Sequence, residues 1–232
     1  MTLELRNLKP FGRGGNRLCF VHPQHSDRCI KVRRPDFTLE QLRRSKGFPK
    51  SLRPLSSFDD NAEEYRTIQL FERLHGKKIY RHLSRYYGFE ETDLGPGLTS
   101  ELIRDANGKI SYSLKQYILE QGLTDSAKNA INELCDFWEA NAIPSRALLL
   151  HNVVVQQDDQ GQATRLVVID GLGSPNLIPA HWLPKAVQKS KTRKKLVDFR
   201  QRIKRLLVEI QKGKSFSKMG MLLHDGSEHA KR

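Results

Sequence analysis

At 232 residues the chain can build one substantial domain, or two small lobes around a cleft, and is too long for a disulfide-stapled miniprotein. With 38% hydrophobic and 28% charged residues, no long apolar run and three cysteines (Cys19, Cys29, Cys135) outside any CxxC pair, it excludes a membrane-spanning helix and a disulfide framework. The start MTLELRNLKPFGRG predicts no secretory leader, and a reducing cytoplasm is the expected setting, with the cysteines as small core residues. The formal charge of +14 is uneven: residues 185–232 hold 15 basic against 4 acidic residues, a net +11, whereas residues 1–184 hold 25 against 22.

In chain order, three β-type runs come first: Leu5 to Phe11, Leu18 to His22 and Arg28 to Arg33. Gly12-Arg13-Gly14-Gly15-Asn16 joins the first two and predicts a glycine-rich hairpin turn; turn residues from His22 to Asp27 join the next two. After an irregular stretch, Asp59-Asp60 predicts a helix N-terminus, with an apolar stripe of Ala62, Tyr65, Ile68, Leu70, Phe71 and Leu74 and a stop at Gly76. Tyr86 to Glu91 and Leu98 to Ile103 read as two further strands.

Beyond Asp105 the period becomes helical. Ser113-Leu-Lys-Gln116 resembles a capping box, and Ile131, Leu134, Cys135 and Trp138 form one buried face of a helix from Asp125 to Asn141. Asn152 to Gln156 and Ala163 to Ile169 form a hairpin around Asp158-Asp159-Gln160-Gly161. A basic amphipathic helix then runs from Lys194 to Gln211, with Leu196, Phe199, Ile203, Leu206, Leu207 and Ile210 on one side. The expected fold class is α+β: a β-rich N-terminal lobe (1–103), a mainly helical lobe (104–184), and a basic helix and tail (185–232).

Separately, the polar signals are ordinary. Gly12-x-Gly14 is common in hairpins, Lys31 within Cys29-Ile30-Lys31-Val32 reads as the exposed alternation of a half-covered strand, and Asp170 closing Val167-Val168-Ile169-Asp170-Gly171 is a turn residue. Their order carries more: a glycine hairpin, a strand lysine, a helix glutamate, a loop asparagine and a strand-end Asp-Gly succeed one another as a kinase-type site requires. Glycines let a backbone approach phosphates closely, and a lysine can reach the α/β-phosphates while a helix glutamate holds it. Asn152 and Asp170 can offer oxygen ligands to Mg²⁺. Walker-type and HExxH motifs are absent.

Pro10-Phe-Gly-Arg-Gly14 with Arg17-x-Cys19, Arg28-Cys-Ile-Lys31, Arg85-Tyr-Tyr-Gly-Phe-Glu-Glu-Thr-Asp93-x-Gly95 and His151-Asn-Val-Val154 carry a resemblance, together with Asp170-x-x-Gly173-Ser174 and Leu177-Ile-Pro179. They resemble the protein-kinase-like superfamily, and within it the YrbL family of PhoP-regulatory-network proteins, over residues 8–184. The resemblance implies a bilobal kinase-like fold that binds ATP and Mg²⁺. Gly12, Gly14 and Arg17 would line the phosphates, Thr99 to Ile103 with Glu101 would read the adenine, and Lys31 would take the strand-lysine role. Glu64 is its expected partner, with Glu63 as the competitor, and Asn152 and Asp170 are the expected metal ligands.

The departures lie in the catalytic loop. Ser145-Arg146-Ala147-Leu148-Leu149-Leu150-His151-Asn152 keeps Arg146, Leu148 and Asn152 of the kinase pattern, but Ala147 stands at the base position and Leu149 at the lysine position. Alanine accepts no proton and leucine neutralises no phosphate. General-base assistance is worth about 10²–10⁴-fold, and since phosphoryl transfer rests mainly on positioning and electrostatics its loss need not abolish activity; weak catalysis, transfer of AMP and pure nucleotide sensing all stay open. Arg17, at the third-glycine position, would crowd the phosphates or bind them. His151 has a suitable titration range, but on extended backbone its side chain would point away from that of Asn152. Asp158 and Asp159 read as turn residues.

The reading is thus a phosphotransferase acting on a small molecule or an envelope glycolipid, with two alternatives. One is a catalytically degraded pseudokinase-like regulator of stress signalling; the other is a nucleic-acid-binding module. The basic 185–232 segment suits an anionic inner-membrane face or a phosphorylated glycolipid, with nucleic acid as second choice.

Overall fold

The computed structural model describes residues 2–45, 47–48, 52, 54–173 and 182–227. The Ser174 and Leu177–Pro179 pieces of the resemblance lie outside them. The N-terminal part is one antiparallel sheet of β1 (Gly12–Arg13), β2 (Arg17–Val21), β3 (Arg28–Arg33), β4 (Tyr86–Glu90) and β5 (Gly97–Glu101), in the order β1-β2-β3-β5-β4. The first strand departs from expectation: it is Gly12–Arg13, inside the expected turn, and Leu5 to Phe11 forms no strand. Pro10 has no N–H to give a ladder, and the Leu5 N–H is taken by Asp93 Oδ1 at 2.7 Å. Leu3 and Leu5 instead pack with Phe20, Ile30 and Val32 under one face of the sheet.

Because side chains alternate along β3, Ile30 and Val32 enter that core while Cys29 and Lys31 point to the other face. Lys31 is 5% exposed, so the half-covered-strand reading does not apply to it. Gly97, on β5 opposite this core, has no room to grow: a Cβ would collide with Ile30 Cγ2 and lie 3.1 Å from Val32 Cγ1. Gly97→Ala is therefore expected to lower unfolding stability by about 1–3 kcal/mol, read from urea denaturation, through overpacking between two paired strands.

Helix α1 (Leu39–Ser45) precedes α2 (Asp60–His75). Asp59 caps α2 as expected, accepting from the N–H groups of Asn61 and Ala62, and Gly76 ends it at φ 70°. Its buried face is narrower than the sequence stripe: Ile68 and Phe71 enter the core of the second lobe, but Leu74 is 47% exposed. That lobe contains α3 (Leu114–Gln121), α4 (Asp125–Ala140), the hairpin β6 (Val153–Gln157) and β7 (Ala163–Val168), and α5 (Lys185–Gln211).

Ser113 caps α3 through Gln116 N–H, but the reciprocal half of a capping box is missing, since the Gln116 side chain bonds Glu120 and the Leu222 N–H. Ile131, Leu134, Cys135 and Trp138 are buried along α4 as expected. The Trp138 indole donates to Ser145 Oγ at 2.7 Å and so anchors the start of the loop that ends at Asn152. Asp158 accepts from the N–H groups of Gln160 and Gln162, a turn residue as expected. The basic helix begins at Lys185 rather than Lys194 and sinks Leu196, Phe199, Ile203 and Leu206 into the core shared with α3 and α4. Among the described residues, no helix is long and apolar enough to cross a membrane.

Candidate active site

Lys31 is the centre of the cleft. Its Nζ donates to Glu64 Oε1 at 2.6 Å, to the Ile169 carbonyl at 2.9 Å and to the Tyr86 hydroxyl at 3.2 Å, tying β3, α2, β4 and the end of β7 together. Burial, the largest single influence, would lower the lysine's pKa, but the Glu64 carboxylate together with Tyr86 more than offsets it and holds the ammonium charged. Burial likewise pushes Glu64 up, and the Arg17 and Lys31 cations override it, leaving the carboxyl at about 2. Tyr86 completes the group by donating its hydroxyl proton to Glu64 Oε1.

The competition between Glu63 and Glu64 is decided by helix geometry. Adjacent residues on α2 point about 100° apart, so only one can face β3. Glu64 is buried and does; Glu63 turns outward and pairs with Arg146 of the loop before β6.

Arg17 is the strongest departure from a glycine loop. Its Nη1 reaches Asn61 Oδ1 at 2.9 Å and Glu64 Oε2 at 2.5 Å, while Nη2 pairs with Asp170 Oδ2. The side chain is 12% exposed and bridges both lobes. It therefore stands where phosphates or a metal would meet Asp170. It also partitions the cleft, lining both a main cavity of about 380 Å³ and a polar one of about 200 Å³ beside Glu63, Thr67 and Arg146.

The main cavity gathers the remaining expected residues: Gly12 and Gly14 from the hairpin, Glu101 from the end of β5, and Asn152 and Asp170. The Gly14 N–H bonds the Arg17 carbonyl at 2.9 Å, closing a tight turn of backbone over the cavity. The Glu101 side chain accepts from the Arg85 N–H at 3.1 Å, tying the end of β5 to the start of β4. Asn152 is tied to the Asp170 segment because its carbonyl accepts from Ile169 N–H at 2.9 Å. Gly171, at φ +82°, permits this closeness: a Cβ there would lie 2.7 Å from the Ala147 carbonyl oxygen and 3.0 Å from Asn152 Nδ2.

As a metal site the donor set is sparse, one carboxylate and one amide. Among the described residues no group of three His, Cys, Asp or Glu side chains stands ready to hold an ion. The carboxylate and amide oxygens of Asp170 and Asn152 are of the kind Mg²⁺ takes, on condition that Arg17 yields Asp170.

His151 corrects the extended-backbone expectation. It sits in a turn just before β6, so strand alternation does not apply, and it lines the same cavity as Asn152. Burial, then Lys115, lowers its pKa and favours the neutral ring. Sequence reasoning assigned no role to Tyr86, to Asn61 or to Met219–Leu222, all of which build the site. Asn61 was accessible to it, one turn before Glu64 on the same helix face; Tyr86 lies in the Arg85–Gly95 stretch that carries the resemblance but nothing local marks its contact with Glu64, and the tail carries no local signal.

A family model described as "PhoP regulatory network protein YrbL" matches residues 3–204. The chain is 25% identical over 186 residues to YrbL of Escherichia coli (strain K12), covering 78% of each chain, and equally so to YrbL of Shigella flexneri. Among solved structures it is similar to Rad53 1–466 in complex with AMP-PNP, with a TM-score of 0.42 and 13% identity over 71% of this chain and 37% of that one.

Proposed function

The chain belongs to the PhoP regulatory network protein YrbL family, and from that premise we propose that its kinase-like cleft binds ATP with Mg²⁺ and works as a phosphotransferase. The observation that carries this reading is the buried Lys31–Glu64 pair, 2.6 Å long, at the wall of a cavity roofed by Gly12 and Gly14 and floored by Asn152 and Asp170. A lysine held in this way presents a fixed cation to the α/β-phosphates. The hairpin backbone approaches the phosphates where Cβ atoms are missing, and Arg17 supplies a second cation from above. Asn152 and Asp170 would hold Mg²⁺, which when bound neutralises charge on the phosphates.

The acceptor in this reading is a small molecule or a phosphorylated envelope glycolipid. The outward cations of α5, Lys189, Lys191, Lys194, Lys204 and Arg205, form a phosphate-attracting face suited to an anionic inner-membrane surface before nucleic acid. A second reading, a regulator that binds nucleotide without transferring phosphate, is favoured by Ala147, which offers no proton acceptor, and by the Arg17–Asp170 pair.

The test is calorimetric titration of ATP with and without Mg²⁺ into wild type and Asp170→Ala. Metal-dependent binding by wild type, lost in a variant of unchanged circular dichroism, is the expected result. Equal Mg-ATP affinity in the variant would overturn the assignment of Asp170.

A further inference from the structure

The segment after α5 does not leave the protein; it returns to the cleft. Lys115 Nζ donates to the Ser217 carbonyl at 2.5 Å and to that of Met219 at 3.0 Å, and Ser113 Oγ donates to the Gly220 carbonyl at 2.6 Å. The Leu222 N–H donates to Gln116 Oε1 at 2.9 Å. These bonds hold the tail to the start of α3, in the second lobe. Crossing to the first, the Leu223 N–H donates to the Phe11 carbonyl at 2.8 Å, immediately before the glycine hairpin; the Asp225 carbonyl accepts from Ile110 N–H, in the connection between the lobes, at 2.9 Å. The same stretch of chain thus bonds both lobes.

Two packing details make the docking specific. Gly220, at φ +75°, lies so close to His151 that a Cβ would collide with the His151 Cβ and come within 2.9 Å of its ring. Leu222 packs with Phe11, Val21, Cys29, Leu102 and Ile110, and Cys19 joins that cluster. Met219, Gly220, Met221 and Leu222 then face the main cavity alongside Cys19, Cys29 and Val154. This end of the cavity is apolar, whereas the Lys31–Arg17–Asp170 end is charged.

We infer that residues 216–225 are a constitutive wall of the ligand site, closing its apolar end around a flat heteroaromatic base and clamping the glycine hairpin to α3. The inference rests on the nucleotide reading for the identity of that base. The base end would then be completed by side chains from three separate parts of the chain: the hairpin and β3, the β5–α3 connection, and the tail. Methionines suit such a wall, because their polarisable thioethers adapt to a ring edge.

The experiment compares wild type with a chain ending at Lys212 and with full-length Gly220→Val. Each is assayed for alkylation of Cys19 by N-ethylmaleimide without nucleotide, and for Mg-ATP affinity by calorimetry. The truncation keeps α5, and Cys135, buried on α4, serves as an internal control that must stay unlabelled. Faster Cys19 labelling and Mg-ATP binding weakened about tenfold or more, the loss expected when an apolar wall is removed, are predicted for both variants. Unchanged labelling would show that the tail does not cover the cavity and overturns the inference whatever nucleotide does. Faster labelling with equal or tighter ATP binding overturns it too, the tail then being a cover rather than a wall. Faster labelling where wild type itself binds no ATP supports the wall and overturns the nucleotide reading of what it encloses.

Discussion

Replacing Glu64 by glutamine is expected to destabilise the protein by about 3–5 kcal/mol, because it leaves two buried cations without their shared carboxylate. Lys31 and Arg17 both bond Glu64, and the three side chains are between 5% and 12% exposed. In a chain of this size that loss lowers the melting temperature by about 10 °C, readable by calorimetry. Glu63→Gln, one residue away, removes only a half-exposed pair with Arg146 and is expected to change stability by less than about 1 kcal/mol. Adding Lys31→Met to Glu64→Gln should recover part of the loss, since it removes one stranded charge. Equal effects of the Glu63 and Glu64 variants would contradict the assignment.

Acid provides a second reading of the same group. Glu64 is held at about 2 in the folded protein against an ordinary 4.5, so its ionisation stabilises the fold above pH 4.5 and that contribution is lost as pH falls toward 2. The difference in melting temperature between wild type and Glu64→Gln should therefore shrink across that window.

Arg17→Gly, which restores the residue type of a glycine loop, is expected to make nucleotide binding depend far more steeply on metal. In the present arrangement a guanidinium already neutralises Asp170 and faces the cavity that would hold the phosphates. A charge-assisted contact of this kind is worth about 1.5–3 kcal/mol, or about 10- to 100-fold in affinity. Metal-free ATP should lose that factor in the variant, while Mg-ATP loses little because the metal gains an unpaired Asp170. Tighter metal-free binding would instead show that Arg17 obstructs the phosphates, and the role assigned to it would fall.

Several features were determined by the sequence alone. The Asp59 cap and the Gly76 stop of α2 are local rules, each satisfied within a few residues of backbone. The buried face of α4 follows from a 3.6-residue period that no neighbour needed to enforce. The order of glycine hairpin, strand lysine, helix glutamate, loop asparagine and strand-end aspartate was legible too, because each sits on an element recognisable by its own pattern.

Tertiary structure decided the rest, for one recurring reason: pairing across long separations has no signature in a local window. Whether Lys31 faced solvent or a buried carboxylate depended on α2 laying Glu64 over that face of β3. That Arg17 would reach Asp170, 153 positions along the chain, is invisible to composition and spacing, since an arginine at the start of a strand is ordinary until the second lobe closes beneath it. The tail shows the same most plainly. Its +11 charge reads as an appendage, yet a charge count says nothing of the carbonyls, Gly220 and Leu222 that bring it back across the cleft.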